Sequence, residues 1–283
     1  MPDIIVKDEI ARRNLELARI ARQNEGKGLG GLPYLDLDAK AYMDYREGKL
    51  PKPPGQDDNP DTVLMKRDLE GKEVLCLAGG GGQQSVEFSL LGAKVTVFDL
   101  TPEQLELDQL AAEHYGHEIM TIQGDMRDLS GLPSNRFDRV YQPISSLFVP
   151  DMREVYRGVA KVLKPDGLYY SSYTYPRLYM AEKKGWDGEA YVVRLSQPHV
   201  SGRILERESD DLMNFDEGTF FGEFNHLLSD IINGQIAEGL RIVGVWENPR
   251  PHEYEYSKLT PGSEEHEQSI LPYGLSVIGQ LVD

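Results

Sequence analysis

One cysteine, Cys76, stands in the whole chain of 283 residues. An internal disulfide is therefore excluded, and so is a metal cluster built on several cysteines of one chain. Basic residues are also scarce. Thirty Lys and Arg against 47 Asp and Glu give a formal net charge of −17. A nucleic-acid binder needs a basic face, so DNA and large RNA are disfavoured as substrates. An anionic membrane surface is disfavoured for the same reason. No run approaches the roughly 18 apolar residues of a spanning helix. The opening MPDIIVKDEIARRN lacks the apolar core of a signal peptide, and a cytoplasmic location is the expectation. His114 and His117 lie three apart without an evident third ligand, so no metal site is expected. What is present, 40% hydrophobic and 27% charged residues, suits one large domain or a domain with a cap.

Residues 1–70 read as an N-terminal helical extension. Helical spacing over 3–25 puts Ile10, Leu17, Ala18 and Ala21 near one stripe, and a second short helix over 34–50 carries Tyr42 and Tyr45. PKPPGQDDNPD is a linker by composition. From Lys72 the pattern becomes strand and helix in alternation, with strands expected over 73–78, 94–98, 119–123, 137–142 and 167–174. Thr101-Pro102-Glu103-Gln104 has the form of a capping box with Pro at the first helical position. Asp151 to Glu154 forms a second box, opening a helix with Val155, Val159, Val162 and Leu163 inward. Lys164-Pro165-Asp166-Gly167 stops that helix and turns into the next strand. Strands separated by helices argue for a parallel α/β sheet. Residues 176–221 break the rhythm and read as an insertion of short strands or a lid. Helical spacing returns at Leu227, Leu228, Ile231, Ile232 and Ile236, with Gly239 as the stop, and strands are expected over 240–247 and 274–282.

The stretch KEVLCLAGGGGQQSVEFSLLGAKVTVFDLT, from Lys72 to Thr101, carries the chemistry. Glycines between a strand and a helix let backbone N–H groups approach a ligand that a Cβ would block. An acid ending the second strand can grip a ribose, and Asp99 follows the loop at close to the roughly 20-residue spacing of nucleoside-binding folds. The loop lacks the third glycine of a dinucleotide fingerprint and the Gly-Lys-Ser/Thr ending of a phosphate loop.

S-adenosylmethionine has no phosphate and needs neither. The chain resembles the class I S-adenosylmethionine-dependent methyltransferases over about 72–174. Val74 to Gly82 matches the glycine motif of that family at Gly80 and Gly82, with Cys76 at its acidic position and Ala78 at its first glycine. Val97-Phe98-Asp99-Leu100-Thr101 resembles the second-strand acid motif. Gln123 to Asp128 resembles the turn in which an acid accepts from the adenine amine. Phe137 to Val140 and Gln142-Pro143-Ile144 match the meeting of the fourth strand with the methionine end, and Lys164 to Gly167 is a frequent turn of the family. The resemblance implies a Rossmann-like three-layer α/β sandwich. Its seven-stranded sheet would be mostly parallel with an antiparallel C-terminal strand, here with the N-terminal extension and an insertion after strand five in a core of residues 71–283. It implies S-adenosyl-L-methionine as cofactor, held by Ala78, Gly79, Gly80, Gly82, Gln83, Asp99, Leu100, Asp125, Met126 and Gln142.

Methyl transfer is an in-line displacement at a sulfonium carbon, which needs alignment and exclusion of water, and a base only when the acceptor must lose a proton. His226 is the candidate base. Period two puts Tyr169, Ser171, Tyr173 and Tyr175 on one face of the fifth strand, with Tyr173 and Tyr175 at the pocket end as candidate orienting groups. Tyr42 and Tyr45 are placed to close over the cofactor. The acidic surface and the two covering segments favour a small-molecule acceptor. A cofactor-binding module without turnover and a dinucleotide-dependent oxidoreductase stand as alternatives, and the oligomeric state is open.

Overall fold

The computed structural model describes residues 10–12, 14–16, 35–54, 60–79, 81–174, 181–186, 191–195, 204–206, 222–224, 226–248, 259–261, 263 and 274–282. Its centre is a seven-stranded sheet. The strands are β1 (Glu73–Leu77), β2 (Lys94–Asp99), β3 (Met120–Gln123), β4 (Phe137–Gln142), β5 (Leu163–Thr174), β10 (Leu240–Asn248) and β11 (Gly274–Leu281). They lie in the order β10-β11-β5-β4-β1-β2-β3. Strands β1 to β5 are parallel, while β11 runs antiparallel between β5 and β10. The expected class and the antiparallel C-terminal strand are both present.

β1 is central, so both its faces are covered and it is apolar and buried from Val74 to Leu77. Val74 and Cys76 point to a layer with Val86, Phe88, Val95, Val97 and Tyr42. Leu75 and Leu77 point to the other, with Phe98, Phe137, Tyr169, Tyr173 and Ile231. This is the period-two alternation of a strand. Helices α3 (Gln83–Leu90) and α4 (Pro102–His114) connect β1 to β2 and β2 to β3. Helix α5 (Arg153–Val162) buries Val155, Tyr156, Val159 and Val162, a stripe with helical spacing.

Outside the core, α1 (Ala39–Arg46) and α2 (Pro60–Lys66) precede β1. Both fasten onto α3 through Glu87, which accepts from Tyr42 Oη at 2.9 Å and pairs with Lys66 at 2.6 Å, all three side chains being buried. Between β5 and β10 lie two small antiparallel pairs. They are β6 (Ala181–Trp186) with β7 (Tyr191–Leu195), and β8 (Ile204–Glu206) with β9 (Gly222–Phe224). Helix α6 (Leu228–Ala237) follows them.

Several local expectations are corrected. Thr101 does not cap α4 with its side chain. Its hydroxyl turns back and donates to Asp99 Oδ1, the same oxygen that accepts from the Thr101 N–H, and this orientation carries the hydroxyl away from the helix N–H groups. The N-cap of α5 is Met152, while Asp151 is bound by the Arg153 backbone and guanidinium. Lys164–Gly167 forms no separate turn before β5. It bulges inside the strand, between the pairs Phe137–Leu163 and Arg139–Leu168, with Asp166 at φ 61°. Leu228 and Ile236 of α6 face outward and Ile231 and Gln235 inward. At the N-terminus Ala11 and Leu15 are the buried pair; Leu17, Ala18 and Ala21 lie outside the described residues.

The strand order reverses between β1 and β4. In an open parallel sheet that reversal opens a crevice at the carboxyl ends of the strands. The functional residues gather there.

Candidate functional site

The turn leaving β1 begins at Ala78, at φ 49°, whose N–H donates to the Phe98 carbonyl at 2.8 Å. That left-handed conformation is the reason a glycine is favoured at this place. Gly79 follows, and Gly80 lies outside the described residues. Gly81 and Gly82 both have positive φ, 92° and 95°. Gly82 is the N-cap of α3, and a Cβ on it would meet Ala111 Cβ at 3.0 Å and the Leu107 carbonyl oxygen at 3.1 Å. The turn therefore rests flat on α4. Gln83, the first residue of α3, is half-buried.

Asp99 ends β2 and is buried. Its Oδ1 accepts from the Thr101 N–H at 2.9 Å and from the Thr101 hydroxyl. Leu100 follows, its carbonyl accepting from Gln123 Nε2 at 3.0 Å. The end of β3 is tied to the same corner, since the Gly124 N–H donates to the Asp99 carbonyl at 2.9 Å. Gly124 is required by close approach. A Cβ there would stand 2.2 Å from Phe98 Cζ.

Asp125 accepts from the Arg127 N–H and holds the Arg127 guanidinium, both side chains being largely buried. Met126 next to it is buried, and Gln142 Nε2 at the end of β4 lies 3.5 Å from its sulfur. Gln142 Oε1 accepts from the Tyr169 hydroxyl. A thioether is a weak acceptor, so the Gln142 amide keeps donor capacity at the crevice.

The structure thus brings Ala78, Gly79, Gly82, Gln83, Asp99, Leu100, Asp125, Met126 and Gln142 to the carboxyl ends of β1 to β4. The other expected residues are placed differently. Tyr173 faces the helical layer, its hydroxyl 2.9 Å from Tyr156 Oη and donating to Ser171 Oγ at 3.0 Å. Burial raises its phenol, and that of Tyr156 further. Tyr175 lies outside the described residues. His226 is buried ahead of α6, with Nε2 3.0 Å from the Ser146 carbonyl in the 3₁₀ turn Ile144–Phe148. That nitrogen carries the proton and donates. Burial lowers the imidazole, against the pull of the Ser146 carbonyl and of Asp151. Tyr42 does not close over the crevice. It packs in the layer with Val86 and Phe88, bound to Glu87, and Tyr45 packs against that same layer.

Sequence reasoning missed Asp108 and Ser85. Asp108 on α4 is buried under the glycine turn and accepts from Ser85 Oγ of α3. Desolvation pushes its carboxyl up to about 7, with Asp99 adding to the rise and Ser85, Gly81 and Gly82 opposing it. Asn14 was missed as well. Its Nδ2 donates to the Phe148 carbonyl at 2.9 Å, linking the N-terminal segment to the turn after β4.

Among the described residues no group of three or more His, Cys, Asp or Glu is placed to hold a metal ion, and no helix is long and apolar enough to cross a membrane.

A family model described as a methyltransferase domain matches residues 75–171. The chain is 33% identical over 180 residues to an uncharacterized methyltransferase, YbaJ, of Bacillus subtilis, covering 64% of this chain and 70% of that protein. It is 32% identical over 135 residues to a ubiquinone biosynthesis O-methyltransferase of Xanthomonas oryzae, covering 48% of this chain and 56% of that one. Among solved structures, an S-adenosylmethionine dependent methyltransferase from Mesorhizobium loti shares the fold with a TM-score of 0.59 at 22% identity, over 78% of this chain and 96% of that chain.

Proposed function

We propose a function from one premise: the chain belongs to the class I S-adenosylmethionine-dependent methyltransferase family. It is an S-adenosylmethionine-dependent methyltransferase, and the acceptor in this proposal is a small molecule. The observation that carries the site is the convergence of the glycine turn, with Ala78, Gly81 and Gly82 left-handed, the Asp99 carboxylate and the Asp125-Met126 turn on one crevice.

The residues present suit this cofactor. Among the described residues beyond its chain neighbours, the Gln84 amide oxygen at 3.6 Å and Cys76 Cβ at 3.9 Å are the atoms within 4 Å of a Cβ built on Gly79, which supports a backbone approach by the amino-acid end. Asp99, whose carboxylate is fixed through Oδ1 by the Thr101 N–H and hydroxyl, is assigned to the ribose. Asp125, oriented by Arg127, and the Met126 backbone are assigned to the adenine. Gln142, its amide fixed by Tyr169, is assigned to the methionine end. The bound cofactor supplies a methyl group already activated by positive sulfur. The chain supplies alignment and a dry crevice.

His226 serves as base for an acceptor that must lose a proton, its buried ring neutral and able to accept at pH 7. Tyr173 is assigned to packing, since its hydroxyl is spent on Tyr156 and Ser171. Two things support a small acceptor. One is the net charge of −17, unfavourable to nucleic acid. The other is the name of the Xanthomonas relative, which places that protein in ubiquinone biosynthesis.

Calorimetric titration with S-adenosylmethionine and S-adenosylhomocysteine tests the cofactor site. Absence of binding by both at millimolar concentration would end the proposal. Incubation with a panel of phenols, amines and thiols, read by mass for the gain of one CH₂, tests the acceptor class.

A further inference from the structure

Behind the Asp125-Met126 turn, inside the sheet, two buried polar side chains lead to the Met126 sulfur. Gln142 of β4 stands opposite Ser171 of β5, and Tyr169 of β5 stands opposite Val140 of β4. Period two therefore puts Gln142 and Tyr169 on one face of the sheet, one step apart on the diagonal. Neither side chain has exposed surface. The Tyr169 hydroxyl donates to Gln142 Oε1, and Gln142 Nε2 donates to the Met126 sulfur at 3.5 Å. Met126 is buried in the core layer that holds Leu77, Phe98 and Leu129. The Tyr169 ring is itself held edge-on by Tyr156 of α5, with centroids 6.2 Å apart and planes at 64°. Tyr156 in turn is tied to Tyr173 through their hydroxyls at 2.9 Å.

The proton count fixes which way the amide points. A thioether has no proton and only accepts, so the amide turns its nitrogen to Met126. The tyrosine has one proton to place, so the amide turns its oxygen to Tyr169. The two demands agree. A flipped amide would set its oxygen against the sulfur lone pairs and leave the tyrosine proton without that acceptor. The amide has two N–H donors, so one is directed at Met126 and the other remains for the methionine end.

We propose, resting on the cofactor site assigned above, that Tyr169 and Gln142 are positioning residues for the adenine: the tyrosine orients the amide, the amide holds the Met126 side chain, and that side chain sets the backbone that receives the base. Neither residue touches the adenine. A methionine side chain has three rotatable bonds and fills irregular gaps, so packing alone specifies it poorly, and a donor at its sulfur selects one placement. The turn is then gripped from two sides. Arg127 holds the Asp125 carboxylate, and Gln142 holds Met126 from within the core.

The test is calorimetric titration of the full chain with S-adenosylhomocysteine and with 5′-methylthioadenosine, which keeps the adenine and ribose but lacks the amino-acid end. Tyr169→Phe removes one hydroxyl and should weaken 5′-methylthioadenosine about three- to tenfold. Combining it with Gln142→Met leaves no polar orphan in the core, so Tm should return towards wild type while affinity stays low. That split separates positioning from mere structural support. Met126→Leu removes the sulfur at nearly constant volume and should weaken both ligands by itself. Adding Tyr169→Phe to Met126→Leu should then cause little further loss, because the two residues act through one amide. Affinity of Tyr169→Phe for 5′-methylthioadenosine within about twofold of wild type overturns the proposal. So does affinity that returns together with Tm in the Tyr169→Phe, Gln142→Met variant, or losses that multiply in the Met126→Leu, Tyr169→Phe variant. If Tyr169→Phe fails to fold, the variant combined with Gln142→Met decides. If neither folds, Met126→Leu alone decides, and wild-type affinity in it overturns the proposal. Failure of the wild-type chain to bind either ligand is a different result, and it removes the cofactor site itself.

Discussion

Replacing Gly124 by alanine puts a methyl group into the ring of Phe98. The built Cβ falls 2.2, 2.7 and 2.9 Å from three ring carbons, where relaxed carbon contacts lie near 3.5–4.0 Å. The ring or the turn must give way by more than about 1 Å. Phe98 is buried in the layer that holds Leu77 and Met126, so its ring has no open space to enter. Overpacking of this kind costs about 1–3 kcal/mol. In a chain of this size that is a fall in Tm of about 2–10 °C. The displaced backbone is the Gly124-Asp125-Met126 turn, so S-adenosylhomocysteine should bind more weakly too, by about tenfold for each 1.4 kcal/mol transmitted. The assay is a double-mutant cycle with Phe98→Leu, read by urea unfolding and by calorimetric titration. Leucine lacks the ring atoms that clash, so the double variant should recover at least about 1 kcal/mol relative to the sum of the singles. Additivity within about 0.5 kcal/mol would refute the close-approach argument.

Three further outcomes are expected. Asp99→Asn keeps one oxygen for Thr101 but replaces the other with a donor; S-adenosylhomocysteine affinity should drop about 10- to 100-fold, as for a hydrogen bond to a charged group, with Tm nearly unchanged. A drop below about threefold would remove Asp99 from the ribose. Ala78→Gly relieves a left-handed alanine, worth about 1–2 kcal/mol, against a backbone entropy cost of about 0.5–1 kcal/mol. A small net stabilisation should appear as a higher urea midpoint, and a clear loss would contradict the φ of 49°.

The third concerns pH. His226 is depressed by burial, so its contribution to stability is present above the unfolded value of about 6.5 and is lost as pH falls through the lower folded value. Asp108 has the opposite sign: its raised group contributes below about 4 and loses that contribution as pH rises through about 7. Urea midpoints should therefore fall on acidification less steeply in His226→Gln than in wild type, and fall less on alkalinisation in Asp108→Asn. Parallel curves for all three proteins would contradict both assignments.

The sheet was legible because its signals are local. A buried strand such as VLCL, a glycine run and an acid at the next strand end sit within thirty or so residues of one another. The Asp108–Ser85 pair was not legible. Its members lie on two helices, and a polar residue at an inward helical position reads as a break in an apolar stripe until the partner helix is in place. Thr101 misled because a hydroxyl at a strand-to-helix corner can face the helix N–H groups or the strand-end carboxylate, and only the fold reveals that it donates to Asp99. Tyr173 misled for a related reason. Period two gave its face correctly, but which layer that face met depended on α5 supplying Tyr156. The place of Gln142 at a strand end was legible, whereas the Tyr169 hydroxyl that orients it was hidden in the same face pattern.

The position of β11 has a consequence for how the molecule is made. The five parallel strands come from residues 73–174, but β10, made later, joins them only through β11, the last strand of the sheet in chain order. During synthesis, β10 must wait beside an incomplete sheet until residues 274–281 emerge from the ribosome and slide between it and β5. Until that moment the β5 edge is an open row of donors and acceptors. The closing step pairs residues more than a hundred positions apart, such as Ser171 with Val277. Such distant pairing is slow, so the nascent chain carries an exposed edge while residues 175–273 are added.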